Sequence, residues 1–116
     1  MDPKLLLLAL FLCVGSVISV ISLPLIWGAV APNPWYGFRV KATLEDPRVW
    51  YSVNRYAALW MLAAAVVFVV AAVATYFLFP KLGIGPYALT CLAVFVVGLA
   101  VGMVQSFRHI SRLRRG

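Results

Sequence analysis

Long uncharged stretches dominate the pattern of hydrophobic and polar positions along this 116-residue chain. Three of them lack Asp, Glu, Lys, Arg and His altogether: Leu5 to Phe38, Tyr56 to Pro80 and Leu82 to Phe107. Since a helix needs about 20 apolar residues to cross the hydrocarbon core of a bilayer, each stretch is long enough to cross once. The pattern predicts an all-α, polytopic membrane protein in which residues 1–116 form a single domain. Its three transmembrane helices are expected at about residues 5–26, 57–79 and 87–105.

The composition supports the membrane-protein class and argues against enzymatic activity. The chain is 65% hydrophobic and 11% charged, whereas soluble domains are about 25% charged. The predicted helices contain none of the ionisable side chains that mark proton relays, metal sites and ion pathways in membranes. Cys13 and Cys91 fall inside them and are expected to act as small apolar side chains. We therefore expect no enzymatic activity, no cofactor and no bound metal.

The basic residues predict the orientation of the chain. The first connection and the C-terminal tail carry eight Lys and Arg, whereas the N-terminus and the second connection carry only Lys4 and Lys81. Because Lys and Arg beside transmembrane helices stay on the cytoplasmic side, we expect the N-terminus outside and the C-terminus in the cytoplasm of a multi-pass cell-membrane protein. The net charge of +7 then indicates contact with an anionic inner leaflet rather than with nucleic acid.

The first apolar run is expected to be retained as a helix, because it continues from Leu5 to Ile26 without an A-x-A cleavage site. Pro24 is expected to kink or end that helix near its inner end. All three predicted helices carry small residues at helical spacing, which allow another helix to approach closely. These candidate packing residues are Gly15, Ser19, Ala64, Ala71, Gly98 and Gly102. The partner helix can belong to the same chain or to a second copy, and we expect a homo-oligomer or a larger membrane complex.

The connection at residues 31–56 should be ordered. Asp46 followed by Pro47 is typical of a helix start, since Asp caps a helix and Pro at its first position loses no hydrogen bond. From there the helical pattern continues to Phe79, so its first turns should form an amphipathic cytoplasmic collar before the second transmembrane helix. The tail after Phe107 shows a similar pattern and should lie on the inner leaflet as an amphipathic helix, with His109 in solvent.

Several residues of this connection occur in a recognisable order: Asn33, Tyr36-Gly37-Phe38-Arg39, Thr43-Leu44, Trp50 and Asn54-Arg55. The order resembles the signature loop of the SdpI/YfhL family of small bacterial membrane proteins. The resemblance covers this signature half; the best-known member has an additional membrane half ahead of it. It implies a cytoplasmic-membrane protein related to one that protects cells from a secreted, membrane-acting peptide toxin, senses the toxin and captures a cytosolic repressor.

The candidate binding residues are therefore Asn33, Tyr36, Gly37, Arg39, Thr43, Trp50, Asn54 and Arg55. Two roles are open for Arg39. It can pair with Glu45 or Asp46 and fold the loop over the helix ends, since a desolvated arginine seeks bidentate carboxylate contacts. It can also join Arg55, Trp50 and Asn54 in a docking surface for a partner or a lipid headgroup.

The functional hypothesis is recognition of a hydrophobic peptide toxin in the bilayer by the small-residue helix faces, reported through the cytoplasmic loop to a cytosolic repressor. The alternative is a small accessory subunit of a larger membrane complex. A pore is disfavoured because the predicted helices lack polar residues that would line it.

Overall fold

The computed structural model describes residues 2–115. Its helices are α1 (Pro3–Ile26), α2 (Lys41–Glu45), α3 (Pro47–Leu78) and α4 (Ile84–Arg115). Three of them, α1, α3 and α4, are long and apolar enough to cross a membrane. The predicted all-α class with three membrane-length helices is confirmed. The short helix α2 lies in the loop and was not predicted.

The helix ends follow local capping chemistry. Asp46 accepts a hydrogen bond from the backbone N–H of Arg48 at 2.9 Å, so α3 begins where the Asp46-Pro47 pair predicted. Pro24 lies inside α1, which continues to Ile26. Helix α4 begins at Ile84, three residues before its predicted start. Pro86 does not prevent this, because the first turn of a helix does not need its N–H groups.

Helix α3 is the centre of the molecule. Both α1 and α4 pack along α3 and scarcely touch one another. The molecule therefore has two ends. We call the one with residues 27–46 and the C-terminal part of α4 the loop end, and the one with residues 79–83 the turn end. Orientation in a membrane stays a prediction.

Small residues bring the helices together. A Cβ atom added to Gly15 would lie 2.3 Å from Cγ2 of Val69 in α3, and one added to Gly98 would lie 3.0 Å from the Cβ of Ala64. A Cβ at Gly102 would lie 2.9 Å from the Cβ of Trp60. The Gly-x-x-x-Gly face of α4 is thus packed against α3 of the same chain. Of the other candidate packing residues, Ser19 bonds its own helix, Ala64 is buried and Ala71 is half-buried.

The side chain of Lys4 bonds the backbone of the turn end. Lys4 is only 9% exposed, and its ammonium group donates to the carbonyl oxygen of Leu82 at 2.8 Å and lies 3.4 Å from that of Phe79. It also lies 5.6 Å from the ring centre of Tyr76 and 5.4 Å from that of Tyr87. Lys4 therefore joins the start of α1 to the turn between α3 and α4, a role that its sequence position did not reveal.

Replacing Lys4 by methionine should destabilise the protein by about 1–3 kcal/mol, because the carbonyls of the turn lose a charged donor. The readout is the thiol of Cys91, which is fully buried, in a Cys13→Ser background. Its labelling by a maleimide on heating should begin at a lower temperature in Lys4→Met. Lys81→Met is the matched control, since Lys81 is exposed at the same end; equal effects of the two changes would contradict this role.

The C-terminal tail is helical, as expected, and it continues α4 directly. Its position on the inner leaflet stays a prediction. Ile110 is buried against Val49 and Val53 of α3, with Leu113 packed beside them. The first turns of α3 therefore cover part of the apolar face of the tail.

Candidate functional site

The loop at the loop end is folded around Asn33. Its side-chain oxygen accepts from the N–H groups of Trp35 and Tyr36 at 2.8 and 2.7 Å, and its amide donates to the carbonyl of Ala31 at 2.8 Å. An asparagine that bonds the backbone two and three residues ahead stabilises a turn. Asn33 therefore fixes the bend at Pro34.

Asn54 joins this loop to α3. Its side-chain oxygen accepts from the N–H of Phe38, and its amide lies 3.4 Å from the Phe38 carbonyl and 3.0 Å from the Trp50 carbonyl. Gly37 precedes this contact with φ +115°, and a Cβ there would lie 2.7 Å from Oδ1 of Asn54. Only glycine combines this backbone conformation with so close an approach. Asn54 is 2% exposed.

Trp50 and Thr43 hold the loop through hydrogen bonds from its buried side. Both are fully buried. The indole N–H of Trp50 donates to the carbonyl of Val30 at 2.8 Å. The hydroxyl of Thr43 accepts from the N–H of Val40 at 2.9 Å and donates to the carbonyl of Phe38 at 2.8 Å. Each buried polar group thus has a partner, as stability requires.

The two candidate arginines bond backbone carbonyls. The guanidinium of Arg39 donates to the carbonyl of Pro34, so the expected pair with Glu45 or Asp46 is not formed. Among the residues with described side chains, 2–114, the one ion pair is between Lys41 and Glu45 at 3.9 Å, and Asp46 is engaged as the cap of α3. Physically, the carbonyl of the nearby turn is within reach and the carboxylates are not.

Arg55 caps a helix. Its Nε donates to the carbonyl of Ile26 at 2.8 Å, one of the carbonyls left unpaired at the end of α1. The predicted docking surface therefore changes. Arg39 and Arg55 are exposed, whereas Trp50 and Asn54 are buried and contribute almost no surface to it.

An apolar cleft of about 350 Å³ lies directly beneath the loop. It is bounded by α1 and α4 on the sides and by α3 at the base, where the two outer helices fail to meet. Its walls include Tyr36, Gly37 and Asn54 from the candidate binding residues and Gly98 and Gly102 from the candidate packing residues. The sequence did not predict that these two sets would meet.

His109 is the clearest departure from a sequence expectation at the loop end. It is half-buried, its ring stacks on that of Tyr56 with centroids 4.4 Å apart, and its Nε2 lies 2.9 Å from the hydroxyl of Ser52. Burial and the nearby charge of Arg112 lower the pKa of His109, which lies beyond the predicted transmembrane segment. His109 thus joins α4 to Ser52 and Tyr56 of α3. A signal was present, because His109 lies on the helix face that carries Gly102 and Ser106.

Comparison with known proteins gives one match. The family model described as the SdpI/YfhL protein family matches residues 29–106. This range contains every candidate binding residue, all of α3 and most of α4. No curated protein and no solved structure shows significant similarity to the chain.

Proposed function

The chain belongs to the SdpI/YfhL family, and from this premise we propose that it works as a multi-pass membrane protein that binds an apolar, membrane-active peptide and catalyses no reaction. The cleft beneath the loop supports the proposal most directly. It offers apolar side chains of α1, α3 and α4 to an occupant within the bilayer, in a space too large to be a packing defect.

The cleft also connects the bilayer to the loop. Phe38 and Asn54 line it, and the bonds between these two residues hold the loop on α3. A peptide that pressed on either side chain would compete with those bonds. The loop would then move, and exposed cations such as Arg39 and Lys41 would be presented differently to a cytosolic partner. In this mechanism the loop changes conformation when the peptide binds, and a cytosolic repressor is the proposed partner that binds the changed loop.

Cross-linking tests where the peptide binds. Met103 lines the cleft and Val104 does not, yet both are 57% exposed. A photoreactive leucine analogue at 103 should capture membrane-active bacterial peptides in vesicles about tenfold more than the same analogue at 104, a difference of about 1.4 kcal/mol in local binding. Equal capture at 103 and 104 would show that peptides meet the protein only by random collision in the bilayer. The peptide proposal would then be abandoned. Deletion of the gene should, in parallel, sensitise cells to a peptide that cross-links.

The alternative function, an accessory subunit, loses its main support. It depended on small-residue faces that were free to receive another protein. Gly15, Gly98 and Gly102 are instead occupied by α3 of the same chain. The expectation of a homo-oligomer or a membrane complex stays a prediction that these faces no longer favour.

A further inference from the structure

A second pocket lies at the loop end, on the side of α3 away from the apolar cleft. It has a volume of about 500 Å³. Gly28 borders it after α1, His109 borders it from α4, and α3 supplies Ser52, Arg55 and Leu59. The proposed peptide recognition does not account for this pocket, and Arg55 is the one residue lining it that belongs to the signature order.

Hydrogen-bond donors and positive charge converge on it. The hydroxyl of Ser52 and Nε2 of His109 lie 2.9 Å apart. Beside them, Nη2 of Arg112 lies 3.5 Å from the hydroxyl of Tyr56. Arg55 uses its Nε on the end of α1, which leaves its terminal guanidinium nitrogens for another acceptor. The polar groups that line the pocket thus include the Arg55 guanidinium and the pair formed by Ser52 and His109, with Arg112 beside them on Tyr56.

This charge is not compensated within the described structure. None of the described residues lining the pocket is acidic. The carboxylates at this end are used elsewhere, since Glu45 lies by Lys41 and Asp46 caps α3. An arginine that lines a pocket without a carboxylate is suited to an anion, above all to a phosphate.

The position of the pocket identifies the kind of anion. Trp27, next to Gly28, is 68% exposed, and exposed tryptophans are typical of the headgroup level of a bilayer. Leu59, on the other side, is 48% exposed and begins the apolar surface of α3. A ligand that fills the pocket thus meets cations at one end and hydrocarbon at the other.

We infer that this pocket binds the phosphodiester of an anionic phospholipid, with the phosphate among Ser52, Arg55 and His109 and an acyl chain along Leu59. Arg112, which contacts the Tyr56 hydroxyl at the edge of the pocket, adds positive charge beside the phosphate. Basic pockets between transmembrane helices are known to hold anionic headgroups. This is a discrete site for one lipid, distinct from the general attraction of +7 to an anionic leaflet, and it does not depend on the peptide proposal.

Native mass spectrometry of the detergent-purified full chain tests the inference. The protein is titrated with phosphatidylglycerol and with phosphatidylcholine of the same acyl chains. We expect about tenfold tighter binding of phosphatidylglycerol, and a loss of most of that preference in His109→Phe and in Arg112→Gln. His109→Phe keeps an aromatic ring stacked on Tyr56, and Arg112→Gln changes an exposed side chain. We therefore expect both variants to fold. Arg48→Gln, which removes an exposed charge at the same end, should leave the preference within about twofold.

Three results would overturn the inference. Equal losses in Arg48→Gln and Arg112→Gln would reduce the binding to diffuse charge. Competition by water-soluble glycerol phosphate as effective as that by the intact lipid would show a site for free phosphate, with no role for Leu59. Equal binding of the two lipids by the unchanged protein would remove the site altogether.

Discussion

Replacing Gly37 by alanine should open the loop at the loop end. Two costs add. Its φ of +115° is a conformation that costs other residues about 1–3 kcal/mol. The new Cβ would also lie 2.7 Å from Oδ1 of Asn54 and 3.1 Å from Cη2 of Trp50. Neither neighbour can yield, because Asn54 holds Phe38 and Trp50 is buried and bonded to the loop.

The combined cost is about 3 kcal/mol, which corresponds to a more than 100-fold larger open population of the loop. Limited trypsin digestion after Arg39 and Lys41 measures that population, provided that the loop recloses faster than it is cut. Gly28→Ala is the control. Gly28 also has a positive φ, +73°, but its nearest side-chain atom, on Tyr51, is 4.0 Å from the added Cβ. Equal digestion of Gly28→Ala and Gly37→Ala would show that crowding by Asn54 contributes nothing.

Leucine at Gly15 should separate α1 from α3. The first carbon of the new side chain would already lie 2.3 Å from Cγ2 of Val69 and 3.5 Å from the backbone oxygen of Ala65. The backbone cannot rearrange around three further carbons, so α1 must shift. Overpacking of this kind costs about 1–3 kcal/mol and occasionally more, and we expect the upper part of that range here.

Heat-induced labelling of Cys91 in the Cys13→Ser background measures this loss, since Cys91 belongs to the buried cluster that includes Phe11 and Phe68. Labelling should begin well below the temperature found for the parent. Ser16→Leu adds the same side chain one position along, where α1 is exposed, and should leave the onset unchanged. If the two leucine variants melt alike, the close contact of α1 with α3 is wrong.

The course of the helices was predictable, because membrane length and capping are local properties. Three uncharged stretches gave the three long helices, and Asp46 with Pro47 gave the start of α3 at the correct residue. The start of α4 was missed by three residues because a Pro in the first turn does not stop a helix.

The contacts between helices were not predictable, because they depend on which faces meet. The only signal at Lys4 was its charge, and we used that charge to predict the orientation of the chain in the membrane. Asn54 could not be assigned to Phe38, since 16 residues separate them. Arg39 was assigned a carboxylate from charge alone, yet a carbonyl lies closer in the folded loop. The cleft requires both the loop and the gap between α1 and α4, so no single segment encodes it.

The length of α3 and its lack of a bending point have a mechanical consequence. It runs for 32 residues, or about 48 Å at 1.5 Å per residue, without an interior proline or glycine at which it could bend. Such a rod can tilt or rotate, but it cannot flex locally. A tilt of about 5° about one end would displace the other by about 4 Å over this length. A tilt of α3 at Asn54 would therefore also move its other end, where Lys4 bonds the neighbouring turn.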